Sequence, residues 1–103
     1  MTKKRMVNAR SAAITANVVH RFLKMNGFLM FYRGASTFTE GFLVEKVGSS
    51  CEVGVYYLFN RDNPKSSEAR EKDKRIAMER ARKYLEDRGF EFNEKGHIVC
   101  REP

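Results

Sequence analysis

Cys51, Cys100, His20 and His97 are the residue types that bind zinc, and Glu40, Glu45 and Glu52 are carboxylates of the kind that can hold a catalytic magnesium. Their spacing argues against local chemistry. A zinc site read from sequence brings its ligands in as close pairs, and neither a CxxC nor an HxxxH spacing occurs among the four residues. Nor does the sequence hold a glycine-rich phosphate loop, a nucleophile elbow or a His-Glu-x-x-His pair. We therefore expect no catalytic residue, no metal, no cofactor and no enzymatic activity. The two cysteines are too few and too far apart for a disulfide framework, so they are expected as reduced, buried thiols in a reducing compartment. His20 is expected at the surface, and His97 in a structural role in a terminal strand.

The residue type that does stand out is the cation. Lys3, Lys4, Arg5, Arg10, Arg21, Lys24 and Arg33 all fall before Glu40, the first carboxylate in the chain. The net charge is +7, and the remaining basic residues are balanced by the 13 acidic ones, so the excess belongs to the first third alone. A sign asymmetry of this kind points to a polyanionic partner, with nucleic acid, DNA or RNA, as the leading candidate. These seven residues form the expected phosphate-contacting set. A protein-interaction module is the alternative, such as a small phage-type inhibitor covering an acidic surface of a host enzyme, and a homodimer is a further expectation. No stretch approaches the roughly 18 apolar residues of a membrane span, so a cytoplasmic protein with no membrane partner is expected.

What must position these residues is one small unit. A chain of 103 residues has room for one modest core, and 42% apolar with 32% charged residues is a foldable balance. The pattern predicts a single α+β domain over 1–103 in the order α-β-β-β-α-β-β: an antiparallel three-stranded meander packed by two helices, plus a C-terminal hairpin. Residues 1–7 read as a flexible basic start. Asn8 is expected to cap a helix that runs to Met25 and stops at Asn26-Gly27. Ile14, Val18, Phe22 and Met25, extended by Val19 and Leu23, form its expected core face. Arg10, Asn17, Arg21 and Lys24 form an exposed stripe on its other side.

Three strand-like runs follow, Phe28 to Arg33, Gly41 to Val47 and Cys51 to Phe59, with Gly48-Ser49-Ser50 joining the last two as a hairpin. In the third run Cys51, Val53, Val55, Tyr57 and Phe59 point one way, and Glu52, Gly54, Tyr56 and Leu58 the other. Asn63-Pro64 predicts the start of a second helix that Gly89 ends, with Ala77, Ala81, Tyr84 and Leu85 toward the core. Residues 65–75 of that helix should project into solvent, supported by Glu68–Lys72 and Glu71–Arg75 pairs. Phe90 to Asn93 and His97 to Arg101 read as the closing hairpin, turning at Glu94-Lys95-Gly96.

Eight of the twelve aromatic residues lie between Phe28 and Phe59, and bases stack on exposed rings at roughly 1–3 kcal/mol each. At least half of the eight are expected in the core; of the remainder, Phe31, Tyr56 and Phe38 are the rings expected on an open sheet face, with a dimer interface as the alternative.

The order of elements resembles three nucleic-acid folds. Its α-β-β-β-α portion is similar to a double-stranded RNA-binding domain, which implies phosphate contacts from Lys65, Arg70, Lys72 and Lys74 at the start of the second helix. The α-β-β-β-α-β order resembles the core of the PD-(D/E)xK nucleases, implying metal-holding roles for Glu40 or Glu45 and for Glu52. The third strand reads Glu52-Val53-Gly54, without the lysine, so a degenerate relative is what this resemblance implies. The Asn26-Gly27-Phe28 break and the Lys95-Gly96 turn resemble those of the double-wing DNA-binding domain of a phage middle-promoter activator.

Overall fold

A computed structural model describes residues 9–34, 39–48 and 51–100 of the chain. Among these residues the elements run α1 (Ala9–Met25), β1 (Glu40–Lys46), β2 (Glu52–Phe59), α2 (Ser67–Asp87) and β3 (Ile98–Val99). The strands form one antiparallel sheet in the order β1-β2-β3. The pairing of β1 with β2 follows from their alternation of β-branched and aromatic residues, in a register that sets Glu40 opposite Phe59 and Lys46 opposite Val53. Val53, Val55 and Tyr57 are buried on one face, and both helices lie against that same face. The core combines Ala12, Ala16, Val19 and Leu23 of α1, Phe42 of β1, Ala81 and Leu85 of α2, and Ile98 of β3. The result is a two-layer α+β domain in which, among the described residues, no element covers the second sheet face.

Two flanking segments extend the sheet. The run from Phe28 to Arg33 joins the β1 edge by a single parallel bridge, Met30 with Phe42, in which the Phe42 N–H donates to the Leu29 carbonyl at 2.7 Å and the Phe31 N–H to the Phe42 carbonyl at 2.8 Å. A parallel crossover needs about a dozen residues, and the return through 32–41 is short enough to close one rung, not a ladder. Gly41 makes the contact possible: a Cβ there would stand 2.5 Å from the Met30 carbonyl carbon. At the other edge the C-terminal hairpin forms with its turn as expected, Asn93 accepting from the Lys95 and His97 backbone N–H groups at 3.0 Å through its side chain. Phe92 bridges Ile98, which in turn pairs with Val53.

Only part of the face expected of α1 is buried: Val19 and Leu23 lie in the core and Val18 and Phe22 are half-buried, but the rest differs. Ala12, Ala16, Val19 and Leu23 are buried, whereas Ile14 is 56% and Met25 73% exposed. The helix is apolar over most of its circumference, so periodicity permits either orientation. The alanines decide it, because small side chains let α1 approach the sheet closely. In this orientation Ile14 and Met25 are exposed beside Arg21, and apolar surface flanks the polar stripe. The helix start expected at Asn8 lies outside the described residues.

The start of α2 also shifts. Ser66, not Asn63, caps it, its Oγ accepting from the Ala69 N–H at 3.2 Å. Asn63 is buried and instead folds the connection before the helix, accepting from the Lys65 N–H at 2.9 Å and donating to the Thr39 carbonyl at 3.0 Å. Neither the Glu68–Lys72 nor the Glu71–Arg75 pair forms. The i,i+4 ion pair present among the described residues is Arg82–Glu86 at 3.2 Å, as expected where exposed pairs must fix two long side chains for little gain.

Candidate nucleic-acid interface

Both helices end by the same device. Gly27 and Gly89 take positive φ after Asn26 and Arg88, and the next residue, a phenylalanine each time, donates its N–H back to a leucine carbonyl: Phe28 to Leu23 at 3.0 Å and Phe90 to Leu85 at 3.1 Å. Each of these phenylalanines reaches the other helix. Phe90 meets Phe22 of α1 with ring centroids 5.9 Å apart, and Phe28 meets Tyr84 of α2 at 5.3 Å. The reciprocal packing sets the two helix C-termini side by side.

Around that junction the cations gather over rings. Lys24 lies 6.0 Å from the Tyr32 centroid, Arg80 5.2 Å from that of Phe28, and Arg88 3.7 Å from that of Tyr84. All three cations are exposed and all three rings half-buried. Phe28 lines two adjoining depressions. One, of about 290 Å³, is bounded by Phe28, Arg80, Lys83, Tyr84 and Asp87. The other, of about 170 Å³, is bounded by Lys24, Gly27, Phe28, Leu29, Met30 and Tyr32.

The seven cations singled out in the sequence fare differently. Lys3, Lys4 and Arg5 lie outside the described residues, and Arg10 stands in the first turn of α1. Arg21 is exposed beside Ile14 and Met25, while Lys24 joins the ring-lined junction. Arg33 pairs with Glu45 at 3.7 Å. Sequence reading missed Arg80, Lys83 and Arg88. They sit in a stretch of alternating charge whose sum is near zero, and only the helix geometry sorts them onto the side that meets α1.

The charged groups implied by the resemblances are used within the fold. Lys65 Nζ sits between Glu40 and Asp73 at 2.6 and 2.5 Å, and Tyr57 donates to Glu40 at 2.5 Å. Burial raises the pKa of Glu40, but the hydrogen bonds from Lys65 and Tyr57 outweigh it and hold the carboxyl below its usual range. Burial, with Glu40 as acceptor, pushes the Tyr57 phenol well above its usual range. Arg70 donates to the Asn63 and Lys65 carbonyls and lies 5.6 Å from the Phe59 centroid. Of the four cations that an RNA-binding resemblance implies, Lys72 and Lys74 thus remain exposed. Glu52 pairs with His97 at 2.7 Å, and the hydrogen bond from His97 lowers its pKa despite some burial. Glu40, Glu45 and Glu52 therefore have three different partners, and no metal-holding group of His, Cys, Asp and Glu occurs among the described residues.

His20 contacts the Tyr32 ring at 6.1 Å. Cys51 and Cys100, far apart in sequence, meet across β2 and β3, where the Cys100 N–H donates to the Cys51 carbonyl at 3.1 Å. Both are free thiols, Cys100 buried and Cys51 half-buried.

The open sheet face carries Leu43, Tyr56 and Leu58, with Glu45 and Glu52 beside them. Phe31 is half-buried at its edge, and Phe38 lies outside the described residues. Its carboxylates, Glu45 paired with Arg33 and Glu52 hydrogen-bonded to His97, place acidic groups on this face. Among the described residues no helix is long and apolar enough to cross a membrane. No family model matches the chain, and neither do any curated protein or solved structure.

Proposed function

We propose that this protein binds nucleic acid through the junction of its helix C-termini, with Lys24, Arg80, Lys83 and Arg88 contacting phosphates beside Phe28, Tyr32 and Tyr84. The observation that carries this reading is the interleaving of exposed cations with half-buried rings around two depressions that share Phe28. Helix dipoles give a partial account of the cations. A positive charge is favoured at a helix C-terminus, which covers Lys24 in the last turn of α1 and Arg88 at the C-cap of α2, but the effect falls off within one turn. Arg80 and Lys83 stand further back and are not drawn there by it.

Lys3, Lys4 and Arg5 before α1, and Arg10 and Arg21 within it, add positive charge, and in this reading they extend the phosphate-contacting surface. Phosphate contacts set affinity and position, and the rings supply stacking.

Fluorescence-anisotropy titration with short single- and double-stranded DNA and RNA at several salt concentrations tests the reading. The expected result is a linear fall of log affinity with log salt. A Lys24→Gln, Arg80→Gln, Lys83→Gln variant should flatten the slope by about 2, since each phosphate contact accounts for roughly 0.7–0.9. Absence of binding to every oligomer at low salt would overturn it.

A protein partner is the second reading, favoured by the exposed Ile14 and Met25 beside Arg21 on the outer face of α1. It predicts no nucleic-acid binding, together with a protein complex lost on Ile14→Ser, Met25→Ser substitution.

A further inference from the structure

Cys51 and Cys100 stand next in the register that pairs β2 with β3. Glu52 opposes Val99 and Val53 opposes Ile98, and one step further along the Cys100 N–H donates to the Cys51 carbonyl at 3.1 Å. The two cysteines are therefore directly opposed across an antiparallel pair, and opposed residues carry their side chains to the same face of the sheet. That face is the buried one: Cys100 is 3% exposed within the core, and Cys51 is half-buried and packed against it. On the other face the Glu52–His97 pair, at 2.7 Å, holds the same two segments together.

A hydrogen-bonded antiparallel pair sets its Cα atoms about 5.5 Å apart, within the roughly 4.4–6.8 Å that a disulfide spans. Its Cβ atoms stand up to about 5.5 Å apart, where a disulfide holds them at about 3.5–4.5 Å, so closing the bond draws the two segments together by about 1 Å. β3 is two residues long and Cys100 lies just beyond it, so the adjustment falls at the end of the ladder and not within it. A bond closed against such a displacement is more readily reduced than a relaxed one, which suits a reversible link.

We propose that Cys51 and Cys100 are a reversible oxidation site that forms an intramolecular disulfide with a small disulfide, such as oxidised glutathione, as oxidant. The inference is independent of the nucleic-acid reading. Cys51, the more accessible of the two, attacks first: its thiol gives up a proton, its Sγ bonds to one sulfur of the oxidant, and one glutathione leaves as thiolate. The Cys100 thiol then loses its proton, its Sγ attacks Sγ of Cys51, and the second glutathione leaves. The two protons end on the two glutathione thiols, so the protein is oxidised by two electrons and the small disulfide reduced by two. The bond closes a ring containing β2, α2 and the C-terminal hairpin, and fastens that hairpin beside the start of β2.

The test takes the full chain, freed of reductant, and incubates it with oxidised glutathione before quenching with iodoacetamide and measuring intact mass and proteolytic peptides. The expected product is a monomer that has lost two hydrogen atoms, takes up no alkylating agent and yields one linked peptide containing Cys51 and Cys100. Dithiothreitol should restore both alkylatable thiols. In Cys100→Ser the second step is blocked, and a single glutathione should remain on Cys51. The wild-type measurement needs no substitution and stands whatever the variant does to folding. The proposal is overturned if the folded chain keeps both alkylatable thiols while the urea-unfolded chain reacts with the same oxidant. It is equally overturned if each cysteine ends as a lasting glutathione adduct, or if the bond links two chains.

Discussion

At the scale of single residues, the polar group around Lys65 explains how a charged segment is fastened to a sheet. Glu40 at the start of β1 and Asp73 in α2 are joined through the Lys65 ammonium group, Tyr57 of β2 donates to Glu40, and Asn63 and Arg70 secure the connecting loop. A pH dependence follows. Because the folded pKa of Glu40 lies below its ordinary value of 4.5, its contribution is complete above about pH 4.5 and is lost as pH falls through the folded pKa. Glu52 contributes in the same direction through His97. Urea midpoints taken from pH 6 down to pH 3 should fall, and Glu40→Gln should be less stable at pH 6 and show a shallower decline. A wild-type midpoint that stays flat through this range would contradict the assignment. None of these partners was readable from sequence, because Glu40, Tyr57, Lys65 and Asp73 come together only through the β1–β2 register and the path of the loop.

At the scale of elements, the two helices show how far periodicity reaches. In α1 the existence and end of the helix were legible from Asn26-Gly27, but its rotation was not. Ala12 and Ala16 contribute little to an apolar pattern and much to close packing. Leu23→Ala should therefore cost about 2–5 kcal/mol, whereas Ile14→Ser should stay within about 0.5 kcal/mol, both read from urea denaturation. Similar costs for the two would restore the face that periodicity suggests. In the sheet, the edge contact of residues 29–31 with β1 depends on Gly41. Gly41→Ala would drive a methyl group into the Met30 backbone, and we expect a loss of about 1–3 kcal/mol in the same assay. A neutral effect would mean that this edge rearranges freely.

At the scale of the whole molecule, charge is redistributed by folding. In the chain, the excess lies wholly before residue 40 and the remainder is balanced. In the fold, Arg33 is paired to Glu45, Lys65 is enclosed by two carboxylates, and Lys24 is joined by Arg80, Lys83 and Arg88 from a segment with no net charge. The salt dependence of binding belongs to this scale. If the junction carries the interaction, the Lys24→Gln, Arg80→Gln, Lys83→Gln variant loses more of the slope than an Arg10→Gln, Arg21→Gln variant does, because Arg10 belongs to the first turn of α1, away from the junction, and Arg21 is exposed beside Ile14 and Met25.

By itself the sequence determined the fold class, the antiparallel β1–β2 pair, the closing hairpin and the glycine ends of both helices. Those follow from local stereochemistry and the two-residue period of a strand, which act between neighbours in the chain. Tertiary structure alone decided which face of α1 is buried, that Ser66 and not Asn63 caps α2, and that Cys51 faces Cys100. It also decided where the cations converge. Each of these depends on packing between residues distant in sequence, and helical sorting of a mixed-charge segment becomes visible only once a second element fixes which side of the helix faces inward.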